Sequence, residues 1–141
     1  MPSIREQIVQ QVQRRCSQAI APITVQRMPV LPVTREHSPA LLLCVESDTV
    51  LSISNASVDR RLTIRLVALA RGESGFAIVD DLIIRAHRVL MADANAGGLA
   101  LGIHEIDAEW DSDDADDGVI ATPARYAIAY RTLFADLTQL G

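Results

Sequence analysis

The chain has 141 residues, of which 49% are hydrophobic, 22% charged and 4% aromatic, a globular and not a disordered composition that predicts one domain with an aliphatic core. Thirteen basic and eighteen acidic residues leave a net charge of −5, the wrong sign for a surface that tracks phosphates, so no specific nucleic-acid binding is expected. The longest apolar run, Ala40 to Val45, is too short to span a bilayer, and no membrane partner is expected.

Ser3-Ile4-Arg5-Glu6 has the spacing of a capping box, with Ser3 as N-cap and Glu6 reaching back. Ile4, Ile8, Val12, Cys16 and Ala19 follow at helical spacing, and Pro22 ends the pattern, which predicts a helix from about Ser3 to Ile20. The first residues hold no apolar signal core, which fits a cytoplasmic chain. Cys16, in this helix, and Cys44, in an apolar run, lack the close Cys or His neighbours of a metal site and read as buried free thiols.

Ile23 to Met28 reads as a short strand. Pro29, Pro32 and Pro39 mark the next stretch as loop or sheet edge. Ala40 to Glu46 reads as a short buried strand, and Ser52 to Ser57, which contains Asn55, as a turn. From Asp59 to Ala70 the sequence alternates: Leu62, Ile64 and Leu66 point one way, Arg61, Thr63 and Arg65 the other. The expectation is a half-buried strand with Arg60, Arg61 and Arg65 on its solvent side.

A second helix is predicted from about Phe76 to Ala92. Val79, Leu82, Ile83, Ala86, Val89 and Leu90 form its buried stripe, and Asn95-Ala96-Gly97-Gly98 stops it. Leu99 to Trp110 is a strand whose period breaks, and a bulge near His104 and Glu105 would restore one apolar face. Eight acids fall between Glu105 and Asp117, and the run 111–117 reads as a polar hairpin tip. The last strand is predicted from about Thr122 to Phe134, with Ala124, Tyr126, Ile128 and Tyr130 on one face. The order predicts a single α+β domain: a mostly antiparallel sheet with two helices packed on one face.

Several patterns resemble sites without completing one. EF-hand registers starting at Asp111 or Asp113 fail, because Ala115 falls at an early ligand position and Thr122 or Ala124 at the twelfth. His37, His87 and His104 are scattered, Asp80 and Asp81 point in different directions on one helix, and Gly97-Gly98 lacks the downstream Lys of a phosphate loop. No catalytic residue, cofactor or metal ligand is therefore expected. The pairing that remains is between exposed charges: Asp111, Asp113, Asp114, Asp116 and Asp117 of one copy with Arg60, Arg61 and Arg65 of a neighbour, a heterologous contact of the kind that closes rings. Arg125 and Arg131 are weaker candidates for the same role.

In order and spacing, several segments resemble the tail terminator proteins of long-tailed bacteriophages and prophages, also called minor tail protein U or tail completion proteins. They are Ile4-Arg5-Glu6-Gln7-Ile8-Val9, Asp80-Asp81-Leu82, Leu90-Met91-Ala92-Asp93, Gly97-Gly98-Leu99-Ala100, Glu109-Trp110, Tyr126-Ala-Ile-Ala-Tyr130-Arg131-Thr132 and Asp136-Leu137. The stretch from Pro29 to Pro39 departs from the pattern. The resemblance implies a small structural α+β subunit without catalytic residues. Such a subunit forms a ring, expected to be a hexamer, that caps the tail tube and joins it to the head connector. Its partners would be its own copies, the major tail tube protein and head–tail connector proteins, in the host cytoplasm during assembly and then in the virion tail. The alternatives are a small cytoplasmic ligand-binding or adaptor protein, or an enzyme without a recognisable motif.

Overall fold

The computed structural model describes residues 1–28, 38–110 and 118–141. Helix α1 spans Ile4–Ile20, and Ser3 caps it by accepting a hydrogen bond from the Glu6 amide at 3.1 Å. Only half of the expected capping box forms, because the Glu6 carboxylate turns away to Arg27 and Gln10. Strand β1 is Thr24–Met28 and runs parallel to β2, Ala40–Ser54. The run read as seven residues is thus a fifteen-residue strand. Its second half is largely exposed and mixes Glu46, Ser47, Asp48 and Thr49 with Val50, Leu51 and Ile53, so its composition hides its conformation. β2 turns at Asn55, whose φ is 55°, into β3, Ser57–Arg71. Helix α2 is Gly75–Ala92, β4 is Gly102–Asp107 and β5 is Val119–Leu133.

The sheet order is β1-β2-β3-β5-β4, and every pair except β1–β2 is antiparallel. The α+β layout with both helices on one face is the observed fold. The expected bulge in β4 is present, one residue later than predicted, between Glu105 and Asp107. Leu99 and Leu101 precede this strand instead of belonging to it, and Leu101 is exposed.

The two helices and one sheet face share the main core. Ile4, Ile8, Val12, Cys16 and Ile20 come from α1, and Val79, Leu82, Ala86 and Leu90 from α2. Leu41 and Leu43 of β2, Leu62, Ile64 and Leu66 of β3, and Tyr126, Ile128 and Tyr130 of β5 complete it. Both helical stripes are close to those predicted, although Ala19, Ile83 and Val89 are only partly buried. The opposite face has a smaller cluster around Leu42, Val67 and Leu69. β3 is therefore buried on both faces for most of its length and is not the half-buried strand its alternation suggested, as befits the middle strand of the sheet.

Candidate interaction surface

Residues of β3 alternate without interruption in their pairing to β5, so adjacent arginines must point to opposite faces. Arg60 lies on the helix side with Leu62, not on the solvent side, and its Nε donates to Thr132 Oγ1 at 3.1 Å. Arg61 is exposed on the other face, with no ion-pair partner among the described residues. Arg65 shares that face but is buried, its side chain only 11% exposed. The three arginines are therefore one solvent-facing group, one buried group and one group on the core side. The expectation that all three share a solvent face is wrong by one residue of parity for Arg60 and by ion pairing for Arg65. Asp111, Asp113, Asp114, Asp116 and Asp117 lie outside the described residues.

Arg65 belongs to a charge network across the face without helices. Glu46, the extra residue in a β2 bulge between Val45 and Ser47, meets Arg125 Nε at 3.1 Å and Arg65 Nε at 3.9 Å. Arg125 Nη1 also reaches Asp107 at 2.8 Å and Glu109 at 3.7 Å, and Arg65 donates to the Glu109 carbonyl at 3.3 Å. The hydrogen bond to Glu46, then the charges of Glu46 and Asp107, hold the Arg125 guanidinium firmly protonated. The network ties β2, β3, β5 and β4 together and presents no free cation to a ligand. Arg131 is likewise held by Asp59, at 2.5 Å.

On the helix side, at the end of the sheet near the α1 N-terminus, Asp48 receives Arg5 at 3.2 Å and the Tyr130 hydroxyl. Ser3, Arg60, Thr132 and Leu137 line a cavity of about 30 Å³ beside it. That volume admits a water or two, well below the ~300 Å³ of a small metabolite's pocket. Among the described residues, no group of three or more His, Cys, Asp or Glu is placed to hold a metal ion. No described helix is long and apolar enough to cross a membrane.

The sequence reading missed an apolar end to the sheet. Val50, Leu51 and Ile53 of β2 and Leu133, Phe134, Leu137 and Leu140 after β5 are all exposed, half of the exposed large apolar side chains among the described residues. Pairing places them at one end of the sheet: Ile53 opposes Val58 on the helix side, and Leu133 opposes Ser57 on the other face. The Phe134 amide donates to the Ala56 carbonyl at 2.5 Å, and Leu140 bridges to Thr132. The signal available in sequence was Val50-Leu51-Ser52-Ile53, an apolar segment beside a turn.

The same end carries a bare strand flank. β1 covers β2 only from Ala40 to Cys44, so Val45–Ser54 has no strand partner on that side among the described residues. Both β2 bulges, Val45/Ser47 and Val50/Ser52, fall in this uncovered half. Bulges in an uncovered strand interrupt the hydrogen-bonding row that another chain would extend. The surface is therefore suited to contact through its apolar side chains more than to strand addition. No model of a known protein family matches the chain, and no curated protein is significantly similar to it.

Proposed function

We propose that the chain is a structural, ring-forming subunit of the tail terminator kind, which caps the tail tube of a long-tailed phage or prophage and joins it to the head connector. The observation that carries this reading is the apolar sheet end formed by Val50, Leu51, Ile53, Phe134, Leu137 and Leu140. A clustered exposed apolar surface on a small domain marks a place where another protein binds. The α+β fold agrees with what the family resemblance implies, and the networked carboxylates are occupied by arginines, which favours an assembly role over chemistry. A hexamer needs a heterologous contact, one patch meeting a different patch on the next copy, and the apolar end supplies one of the two.

The test is native mass spectrometry of the purified chain, alone and mixed with tail tubes, with negative-stain imaging of the mixture. A six-fold species or rings at tube ends are expected, and replacing Leu51 and Ile53 by Ser reduces them while leaving the far-ultraviolet circular dichroism spectrum unchanged. A chain that stays monomeric and leaves tube ends bare overturns the reading and favours an adaptor or ligand-binding role.

A further inference from the structure

His87, in the fourth turn of α2, sits where the helix meets the sheet, and its side chain is 38% exposed. Its Nδ1 lies 2.8 Å from the Tyr126 hydroxyl of β5 and 3.4 Å from Glu105 Oε2 of β4. Glu105 and Tyr126 oppose each other across β4 and β5, so the ring faces both from above. The imidazole and phenol rings are tilted by 38°, with centroids 5.8 Å apart.

We propose that His87, Tyr126 and Glu105 form a proton-operated switch at the junction of α2 with the sheet. In the neutral ring the Nδ1 lone pair accepts the Tyr126 hydroxyl, which fixes the hydrogen on Nε2. When the ring takes up a proton, Nδ1 becomes a donor, and the Tyr126 hydrogen must turn away from it. The Nδ1–H then turns to the Glu105 carboxylate. The contact changes from a neutral bond to β5 into a charge-assisted bond to β4, and acid tightens α2 onto the edge strand.

Other groups facing His87 do not compete for the proton. Burial raises the ionisation of Tyr126 well above its ordinary value, so it stays a hydroxyl throughout. The Cys16 thiol of α1, which acts electrostatically on Tyr126, is pushed up to about 12 by burial and is also neutral. The neighbours of His87 one turn away on α2, Ile83, Ile84, Leu90 and Met91, are apolar. Histidine is the side chain that ordinarily changes charge between pH 5 and 8. This device is independent of ring formation, because every group belongs to one copy.

The experiment is a ¹H–¹⁵N long-range spectrum of the His87 ring in the full chain, from pH 8 to pH 5. At pH 8 the neutral ring is expected as the Nε2–H tautomer. At pH 5 the Nδ1–H of the charged ring is expected to be slowed in its exchange with water by the Glu105 carboxylate, and the replacement Glu105→Gln removes that protection. Tyr126→Phe removes the acceptor bond and mixes the tautomers. An Nδ1–H tautomer at pH 8, or an Nδ1–H at pH 5 that exchanges equally fast with and without the Glu105 carboxylate, overturns the switch. The tautomer in the unaltered chain decides the question even if Tyr126→Phe fails to fold.

Discussion

Arg65 and Arg125 stand directly opposite each other on β3 and β5, and Glu46 from the β2 bulge reaches both. Two like charges facing across strands repel. Here the repulsion is offset by one carboxylate that the bulge delivers to their face, with Asp107 and Glu109 adding to it from the β4 side.

The first prediction follows from this arrangement. Glu46→Ala leaves two facing arginines, one of them 11% exposed and one 23% exposed, without their shared acceptor. A loss of about 1–3 kcal/mol is expected, the usual range for a charged group deprived of its partner. Glu46→Gln keeps a hydrogen-bond acceptor and loses less. Urea unfolding of the two variants checks the order, and equal stability of Glu46→Ala and the unaltered chain removes the structural role given to the bulge.

A second prediction concerns Cys16, which is fully buried in α1 and whose thiol burial pushes up to about 12. At pH 8 about one molecule in 10⁴ then carries the thiolate, the form that reacts. Cys16 is expected to resist iodoacetamide in the folded chain and to react once urea unfolds it, as read by mass spectrometry. The sign of the linkage is set by the raised value. The folded state favours the neutral thiol, so this contribution is fully present below the ordinary thiol pKa of about 8.5 and is lost as pH rises from there towards about 12.

The corrected positions of the arginines sharpen a third prediction about assembly. Of the three proposed partners for the acidic run, Arg61 alone is exposed and unpaired among the described residues. Arg61→Glu is therefore expected to weaken self-association while preserving the fold. Arg65→Glu is expected to disrupt the sheet itself, because it removes a member of the charge network. Changing Asp113, Asp114, Asp116 and Asp117 to Ser weakens association in parallel, and so does raising salt, since exposed charges are screened over about 8 Å at physiological ionic strength. Light scattering checks each case. An oligomer unaffected by both the Arg61 and the Asp changes removes the charge pairing and leaves the apolar end as the contact.

The fold was legible where a period was long and clean. The α1 stripe of Ile4, Ile8, Val12 and Cys16 and the β5 face of Tyr126, Ile128 and Tyr130 are both buried as their spacing implies. The surface was much less legible, for two physical reasons. Alternation assigns a face to each residue, yet whether that face is solvent depends on distant partners, and Arg65 is buried by Glu46, nineteen positions away in sequence. An apolar segment in the sequence does not by itself say whether its side chains are covered. Val50, Leu51 and Ile53 stand in an apolar segment beside the turn at Asn55, but only the fold shows that their side chains stay exposed.

The last prediction is that the chain does not hold duplex DNA at physiological salt. A ring at the end of a tail tube lies on the path DNA takes, and a basic lumen would retain phosphates, each neutralised phosphate adding salt-sensitive affinity. All thirteen basic residues of this chain are arginine, the side chain best suited to grip a phosphate. Their settings argue against that use. Arg5, Arg15, Arg27, Arg85, Arg125 and Arg131 each meet a carboxylate of the same copy. Arg15, for example, holds Asp93 at 2.5 Å, and this bond, with the Gly97 amide behind it, keeps that carboxyl below its usual range. A phosphate would have to displace these internal partners. Six copies at −5 each would carry a formal −30, a field that repels a polyanion and lets it pass without sticking. A titration with short duplex DNA is expected to show no binding at physiological salt and no steep gain at low salt. Micromolar or tighter affinity with a steep salt slope would mean that enough arginines are released on assembly to form a phosphate-binding surface, contrary to their pairing within the single copy.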